Sequence, residues 1–192
     1  MIDDRIPLEK CNIAEVKNKL DRLTEEFQPA GILLDFQRSG SAESQALSIF
    51  LSKHMTVPVA VTEHYAQATS GPVFVCMPPA HQTIISSLEH WRGREIWLEL
   101  ATDRKTVIID TEGCRVTELG DQAVITPSYC GKRYSHYKID FQGCSARFTF
   151  NRGIEDLKKI ICDKKALGIQ YTVGLYQELG THFPYYKKAA DG

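Results

Sequence analysis

The chain has 192 residues, of which 43% are hydrophobic and 24% are charged, a composition typical of a globular domain and not of a disordered or fibrous protein. Its 23 basic and 24 acidic side chains give a net charge of −1, so no basic excess drives binding to a nucleic acid backbone. No apolar run approaches the roughly 20 residues of a membrane span, and residues 1–10 lack the basic-then-apolar pattern of a signal peptide. We therefore expect a cytoplasmic protein that binds neither nucleic acid nor membrane.

The first predicted element is a helix over residues 13–27. Asn12, with Glu15 three residues later, has the pattern of a capping box, and apolar residues then recur at three- and four-residue steps until Pro29 ends the helix. Strands and helices alternate after it. Strands are predicted at 32–36, 57–61, 73–77, 96–100 and 171–176, with helices ending near residue 53, around residue 65, at 82–91 and at 153–167. This alternation indicates parallel β–α units.

The alternation of strands and helices stops between residues 105 and 150. Short β-like runs at 106–109, 122–125, 136–141 and 146–150 are separated by turns that contain glycine, which predicts an antiparallel insertion before the last β–α unit. We therefore expect one domain over residues 1–192, with 105–150 as a β-rich insertion. Five parallel strands leave open sheet edges, and we expect an additional N-terminal segment, the insertion or a partner chain, as in a homo-oligomer, to cover them.

Strand parity predicts where polar side chains gather. One face of each parallel strand is almost purely aliphatic, whereas the other becomes polar or aromatic toward its carboxyl end, the edge at which ligands bind in parallel α/β folds. The side chains expected to converge there are Asp35, Gln37, Thr62, His64, Trp97, Glu99 and Tyr176. The alternative, that they are ordinary strand ends meeting solvent, stays open at this point.

Other kinds of site are not indicated. His64 has no second ligand at helical spacing, so we expect no metal site, and neither a phosphate-binding glycine loop nor a nucleophile elbow is present, so we expect no cofactor. The six cysteines form no Cys-x-x-Cys pair and are expected to be mostly reduced.

Two segments resemble a known enzyme family. Residues 30–37, Ala-Gly-Ile-Leu-Leu-Asp-Phe-Gln, resemble the DGxDxDxE strand motif of glycoside hydrolase family 18, the chitinase-type barrels. Residues 154–180 are similar to the closing helix and final strand of that family, and many members insert a small subdomain just before this unit. The resemblance implies a TIM-barrel-like fold, here reduced or incomplete because a closed eight-stranded barrel needs about 250 residues.

The sequence departs from the family motif at the catalytic positions. The first two motif aspartates are Ala30 and Leu33, Asp35 is retained, and the glutamate that protonates the glycosidic oxygen in the family is Gln37. An amide has no proton to give at useful pH, so the inherited mechanism cannot run, although an amide can still bind a sugar.

Three functions remain open at this stage. The first is a degenerate protein that binds a carbohydrate or a similar small polar ligand through Asp35, Gln37, Thr62, His64, Trp97 and Tyr176, with the two aromatic rings stacking on a sugar. The second is an active glycosidase with relocated carboxylates, Asp35 and Glu99, since simple parity points Glu63 and Glu178 the other way. The third is a structural or interaction protein without a ligand site.

Overall fold

The computed structural model describes residues 1–5, 12–38, 40–118, 129–175, 179 and 183. Along the chain the elements are β1 (Ile2–Asp3), α1 (Ile13–Phe27), β2 (Ile32–Asp35), α2 (Ala42–His54), β3 (Val59–Thr62), α3 (Glu63–Ala66), β4 (Val73–Val75), α4 (Ile84–His90), β5 (Ile96–Leu100), β6 (Asp103–Asp110), β7 (Gly113–Glu118), β8 (Tyr129–Lys132), β9 (Ser135–Gln142), β10 (Ser145–Arg152), α5 (Ile154–Asp163) and β11 (Ile169–Gly174). The strands form a six-stranded sheet of order β1-β2-β3-β4-β5-β11 and a five-stranded sheet of order β7-β6-β10-β9-β8. The protein is therefore a mixed α/β fold.

The chain divides into two compact units. Unit 1 is made of Met1–Cys76, Leu88–Glu99 and Gly168–Tyr171, and unit 2 of Met77–Ser87, Leu100–Leu167 and Thr172–Gly192.

The first sheet is parallel over the pairs β1–β2, β2–β3, β3–β4 and β4–β5. This confirms the parallel β–α units, and in the part of the chain that the structure describes the sheet is open, with β1 and β11 at its edges. The central strands are buried on both faces, as parallel sheets are, since Leu33, Ala60 and Phe74 are as inaccessible as their aliphatic neighbours.

The first strand was not predicted. Ile2 pairs with Leu34 and Asp3 pairs with Asp35, so the start of the chain adds a two-residue strand beside β2. A strand of this length has no periodicity for a sequence pattern to detect. One edge of the five predicted strands, that of β2, is therefore paired with the start of the same chain.

The local signals around α1 have the expected effect. Asn12 Oδ1 accepts a 3.0 Å hydrogen bond from the Ala14 N–H and caps the helix at its start. At the other end Gln28 adopts a left-handed conformation with φ 46°, and its N–H donates to the Thr24 carbonyl oxygen over 3.0 Å. The predicted bounds of this helix are confirmed.

The predicted insertion is an antiparallel sheet. Two of its hairpins have two-residue turns: Asp110 Oδ1 accepts a 2.9 Å hydrogen bond from the Glu112 N–H between β6 and β7, and Gly143 has φ 58° between β9 and β10. The predicted strand at 122–125 lies outside the described residues. The strands β7 and β8 were missed, β7 because Gly113 was interpreted as a turn.

The two faces of this sheet differ in chemistry. The register places one set of apolar side chains on the same face: Val107, Ile109, Val116, Ile139, Phe141, Phe148 and Phe150. The other face carries mainly hydroxyl and charged groups, among them the paired hydroxyls of Thr106 and Thr149. This alternation is the period of two that half-buried antiparallel strands show.

The turn from β10 into α5 is held by one carboxylate. Asp156 Oδ2 accepts a 3.1 Å hydrogen bond from the Gly153 N–H, and Asp156 Oδ1 lies 2.9 Å from His136 Nε2 on β9. Asp156 therefore closes the first turn of the helix and ties it to the antiparallel sheet. Among the described residues, no helix is long and apolar enough to cross a membrane.

Candidate functional site

An amide and a carboxylate meet where β2 ends. Asp35 is the last residue of the strand, and Gln37 follows it after the fully buried Phe36. The Gln37 Nε2 donates a hydrogen bond to Asp35 Oδ1, and the same nitrogen lies 3.8 Å from the Cys76 Sγ. Gln37 is exposed and Asp35 is half-buried, so the pair is open to solvent.

The backbone around this pair is held from three directions. Thr62 donates its hydroxyl to the Phe36 carbonyl oxygen over 2.7 Å, and Asp4 Oδ2 accepts a 2.7 Å hydrogen bond from the Arg38 N–H. The Tyr65 hydroxyl donates to the Arg38 carbonyl oxygen, and the Tyr65 ring packs edge-on against Phe36. Because the residues on both sides of Gln37 are fixed, its side chain starts from a defined position.

Carboxylates gather around Cys76, the residue that follows β4. Burial raises the pKa of the Cys76 thiol to about 11, and the negative charges of Glu99, Asp35 and Glu63 push the pKa in the same direction. The hydrogen bond from Gln37 acts against them because it favours the thiolate. These five residues, which lie at or next to the carboxyl ends of four neighbouring strands, are called here the carboxylate cluster.

Glu63 joins the cluster because the chain bends. Strand β3 ends at Thr62 and α3 starts at Glu63, so simple strand parity no longer applies to this side chain. The Trp91 indole N–H donates a 2.8 Å hydrogen bond to Glu63 Oε1, and Trp91 itself is buried. One carboxylate of the cluster is therefore held by a rigid buried donor.

Thr62 and His64, two predicted site residues, have different surroundings. Thr62 is 2% exposed and its hydroxyl bonds the backbone, so it supports the loop after β2. His64 lies in the single-turn helix α3 with its side chain exposed. Tyr176, the aromatic expected on the last strand, lies outside the described residues.

Trp97, the remaining predicted site residue, lies near the amino ends of the strands. Its ring N–H donates a 2.8 Å hydrogen bond to Glu95, and its ring packs on Tyr171 with centroids 5.2 Å apart. A Cβ atom on Gly31, the residue before β2, would lie 2.4 Å from the ring of Trp97. Trp97 is 5% exposed, so its ring is part of the packed core.

The carboxylate cluster combines acceptors with one amide donor. Three carboxylates and the Gln37 carbonyl can accept hydrogen bonds from the hydroxyl groups of a polyol, and the Gln37 amide can donate one. The thiol with its high pKa is protonated at neutral pH and is a poor nucleophile. Within the described residues, no group of three or more His, Cys, Asp or Glu side chains is arranged to hold a metal ion.

Two members of the cluster were missing from the predicted site. Parity points Glu63 away from the site, and the sequence gives Cys76 no role beyond that of one of six cysteines expected to be mostly reduced. A signal for Cys76 existed, since parity assigns it to the polar side of its strand, at the carboxyl end. For Glu63 the signal was the predicted turn of helix around residue 65, which begins where the strand ends.

Comparison with known proteins gives a fold likeness. No family profile matches the sequence, and no curated protein matches it. Among solved structures, the chain is similar to the spore cortex-lytic enzyme SleL of Bacillus megaterium QM B1551, with a TM-score of 0.53 and 10% identity over 84% of this chain. It is also similar to the C-terminal domain of a candidate chitinase from Desulfitobacterium hafniense DCB-2, with a TM-score of 0.46 and 14% identity over 84% of this chain.

These likenesses cover parts of the other proteins. The chain spans 49% of the SleL structure and 66% of the Desulfitobacterium domain. At 10% identity the likeness to SleL shows that the two chains share a fold over this region.

Proposed function

We propose that this chain is a degenerate glycoside-hydrolase-like protein that binds a carbohydrate at the carboxylate cluster without cleaving it. The observation that carries the proposal is the hydrogen bond from the Gln37 amide to Asp35 at the end of β2. In the family that the sequence resembles, the position of Gln37 holds the proton-donating glutamate. An amide keeps the contact to the aspartate and the capacity to bind a sugar, but it supplies no proton to a leaving oxygen.

The fold is consistent with this interpretation. The order of parallel β–α units, the antiparallel insertion before the last unit and the likeness to a cortex-lytic enzyme all support an incomplete barrel of the chitinase type. Ligands of such folds bind where the strands end, which is the edge that Asp35, Gln37, Cys76 and Glu99 occupy.

A second candidate is an active glycosidase that uses Asp35 and Glu99 as its acid–base pair. The observation in its favour is that both carboxylates lie close enough to Cys76 to raise the pKa of that thiol. Glycoside hydrolysis needs two carboxyl groups on opposite sides of the bond that is cleaved.

Binding and turnover of the same substrate separate the two candidates. A chitin oligomer is titrated into wild type, Asp35→Asn and Asp21→Asn, and the last is a matched control on α1, where Asp21 pairs with Lys17. We expect wild type and the control to bind equally, and Asp35→Asn to bind about tenfold more weakly because it loses a charged acceptor. Equal binding by all three proteins would contradict the assigned site.

Hydrolysis is measured on the same oligomer and on an aryl N-acetylglucosaminide, whose leaving group needs little protonation. We expect no turnover of the oligomer by wild type, because losing a general acid costs on the order of 10²–10⁴-fold in rate. Activity gained in Gln37→Glu supports a degenerate hydrolase. Turnover of the oligomer by wild type that Asp35→Asn or Glu99→Gln abolishes establishes the second candidate.

A further inference from the structure

Unit 2 contains a pocket that the proposed function does not use. It has a volume of about 190 Å³, and its walls come from the loop after β4, the residues between β5 and β6, and the last residue of β10. The polar side chains that line it are those of Thr102, Asp103, Lys105 and Arg152. The volume corresponds to about six water molecules, so the pocket suits a small polar group.

Arg152 is the most buried charge in this pocket. It is 1% exposed, and its guanidinium donates to three backbone oxygens: that of Tyr134 over 3.4 Å, that of Pro79 over 3.5 Å, and that of Pro78. In the part of the chain that the structure describes, no carboxylate lies within 4 Å of it. A guanidinium has five N–H groups, so carbonyl bonding leaves part of its donor capacity unused.

The carboxylate of Asp103, the residue opposite Arg152 in the sheet, has other partners. Asp103 Oδ2 accepts a 2.6 Å hydrogen bond from the Ala80 N–H, and Asp103 Oδ1 pairs with Lys105 Nζ at 3.2 Å. Two cationic side chains thus share the pocket lining with one anionic side chain, and the Lys105–Asp103 pair leaves one positive charge, that of Arg152, in excess.

The antiparallel register fixes these groups relative to one another. Asp103 on β6 is directly opposite Arg152 on β10, and Lys105 is opposite Phe150. Side chains of opposed residues project from the same face of a sheet, so Asp103, Lys105 and Arg152 line one wall whose spacing is set by backbone hydrogen bonds. A wall of this kind holds its charges in place before a ligand arrives.

We propose that this pocket binds a small oxyanion, a carboxylate above all, between Arg152 and Lys105. A buried charge is costly unless an opposite charge compensates it, and an oxyanion would supply the partner that the described residues do not. In keeping with this, burial lowers the pKa of Arg152, and the more distant Asp103 and Asp156 offset only part of that effect. The site lies on side chains of unit 2 and is independent of sugar binding at the carboxylate cluster.

The experiment titrates sodium acetate and sodium glucuronate at constant ionic strength into the full chain, with glucose as the neutral analogue, and follows binding by calorimetry and amide NMR shifts. We expect saturable binding of the carboxylates, shifts at the Thr102–Lys105 amides, and no response to glucose. Binding of both anions indicates a site for any small carboxylate, whereas binding of glucuronate alone assigns it to the carboxylate of an acidic sugar.

A matched pair of variants tests the residues. Lys105→Gln removes a cation of the pocket, and Lys138→Gln removes a lysine that likewise pairs with an aspartate two residues away, Asp140, on the other face of the same sheet. We expect roughly tenfold weaker carboxylate binding in Lys105→Gln and no change in Lys138→Gln. Absence of saturable binding by wild type, or equal weakening in the two variants, would overturn the proposal. Because neither lysine belongs to the carboxylate cluster, loss of chitin oligomer binding is a separate result.

Discussion

The indole N–H of Trp91, just beyond the end of α4, donates a 2.8 Å hydrogen bond to the carboxylate of Glu63 at the start of α3. The two residues are 28 positions apart in the sequence, and this bond holds one of the three charges around Cys76 in place. Trp97 makes a hydrogen bond of the same length to Glu95, away from the cluster. The two tryptophans therefore form a natural comparison between an indole that orients the site and one that packs the core.

Trp91→Phe removes the first of these hydrogen bonds and retains most of the ring packing. We expect a loss of about 1 kcal/mol in the free energy of unfolding, because the acceptor is charged but half-exposed. Urea denaturation measures this loss, and Trp97→Phe should cost a similar amount. Only Trp91→Phe should also alter the reactivity of the Cys76 thiol; an equal change in both variants would show that Glu63 is not held by Trp91.

The Cys76 thiol should react slowly with alkylating reagents. Its pKa is raised from 9.0 to about 11, so its thiolate fraction near pH 8 is about a hundredfold below that of the same cysteine in the unfolded chain. Peptide mass spectrometry after timed iodoacetamide treatment measures the rate, with the exposed Cys114, Cys144 and Cys162 as internal references. Asp35→Asn should speed the reaction because it removes a charge that raises the pKa, and Gln37→Ala should slow it.

The raised pKa of Cys76 also predicts that the protein becomes less stable at alkaline pH. A pKa that is higher in the folded than in the unfolded chain contributes stability that is present below pH 9 and is lost as the pH rises toward 11. We expect the melting temperature of wild type to fall across this window more steeply than that of Cys76→Ala. Parallel curves for the two proteins would contradict the raised pKa.

Gly31→Ala should be strongly destabilising. The added Cβ would lie 2.4 Å from the Trp97 ring and 2.7 Å from the Pro58 carbonyl oxygen, and the second of these is backbone that cannot rotate away. Forcing an atom into packed surroundings costs about 1–3 kcal/mol, and we expect the upper part of that range. Gly153→Ala, whose Cβ would meet its nearest neighbour at 3.7 Å, is the control and should cost less than about 1 kcal/mol.

Gln28→Gly should stabilise the protein. Gln28 ends α1 in a left-handed conformation with φ 46°, which a side chain disfavours and glycine does not. The gain should be about 0.5–1 kcal/mol, measured as a rise in the urea midpoint, because glycine also loses more backbone entropy on folding. Gln28→Ala keeps the unfavourable side chain and should show no such gain.

Much of the fold could be predicted because its signals are local. Helix α1 begins after the capping residue Asn12 and keeps an apolar period to Phe27, and β5 is a short run that is apolar except for Glu99, so both have the predicted bounds. Strand β1 could not be found this way, since pairing with β2 is a long-range interaction. Strand β7 was missed for a different reason, since its first residue, Gly113, is of a type common in turns.

The candidate site was harder to predict because parity ignores position along the strand. Trp97 and Glu99 share a face of β5, but Trp97 is its second residue and reaches Gly31 and Tyr171, whereas Glu99 is next to last and reaches the surroundings of Cys76. Parity combined with distance from the carboxyl end would have separated the two. To predict that Glu63 belongs to the cluster, one also has to know the residue at which β3 ends and α3 begins.

The order of strands in the parallel sheet has a consequence for how the chain folds. Strands β5 and β11 are neighbours, but about 70 residues separate them along the sequence, and closing a loop of that size costs about 4 kcal/mol of chain entropy. The β6–β7 and β9–β10 hairpins need closures of only two residues each, so they can form early and shorten the gap. We therefore expect the hairpins of the antiparallel sheet to form before β11 pairs with β5, and β11 to be the last strand to join its sheet.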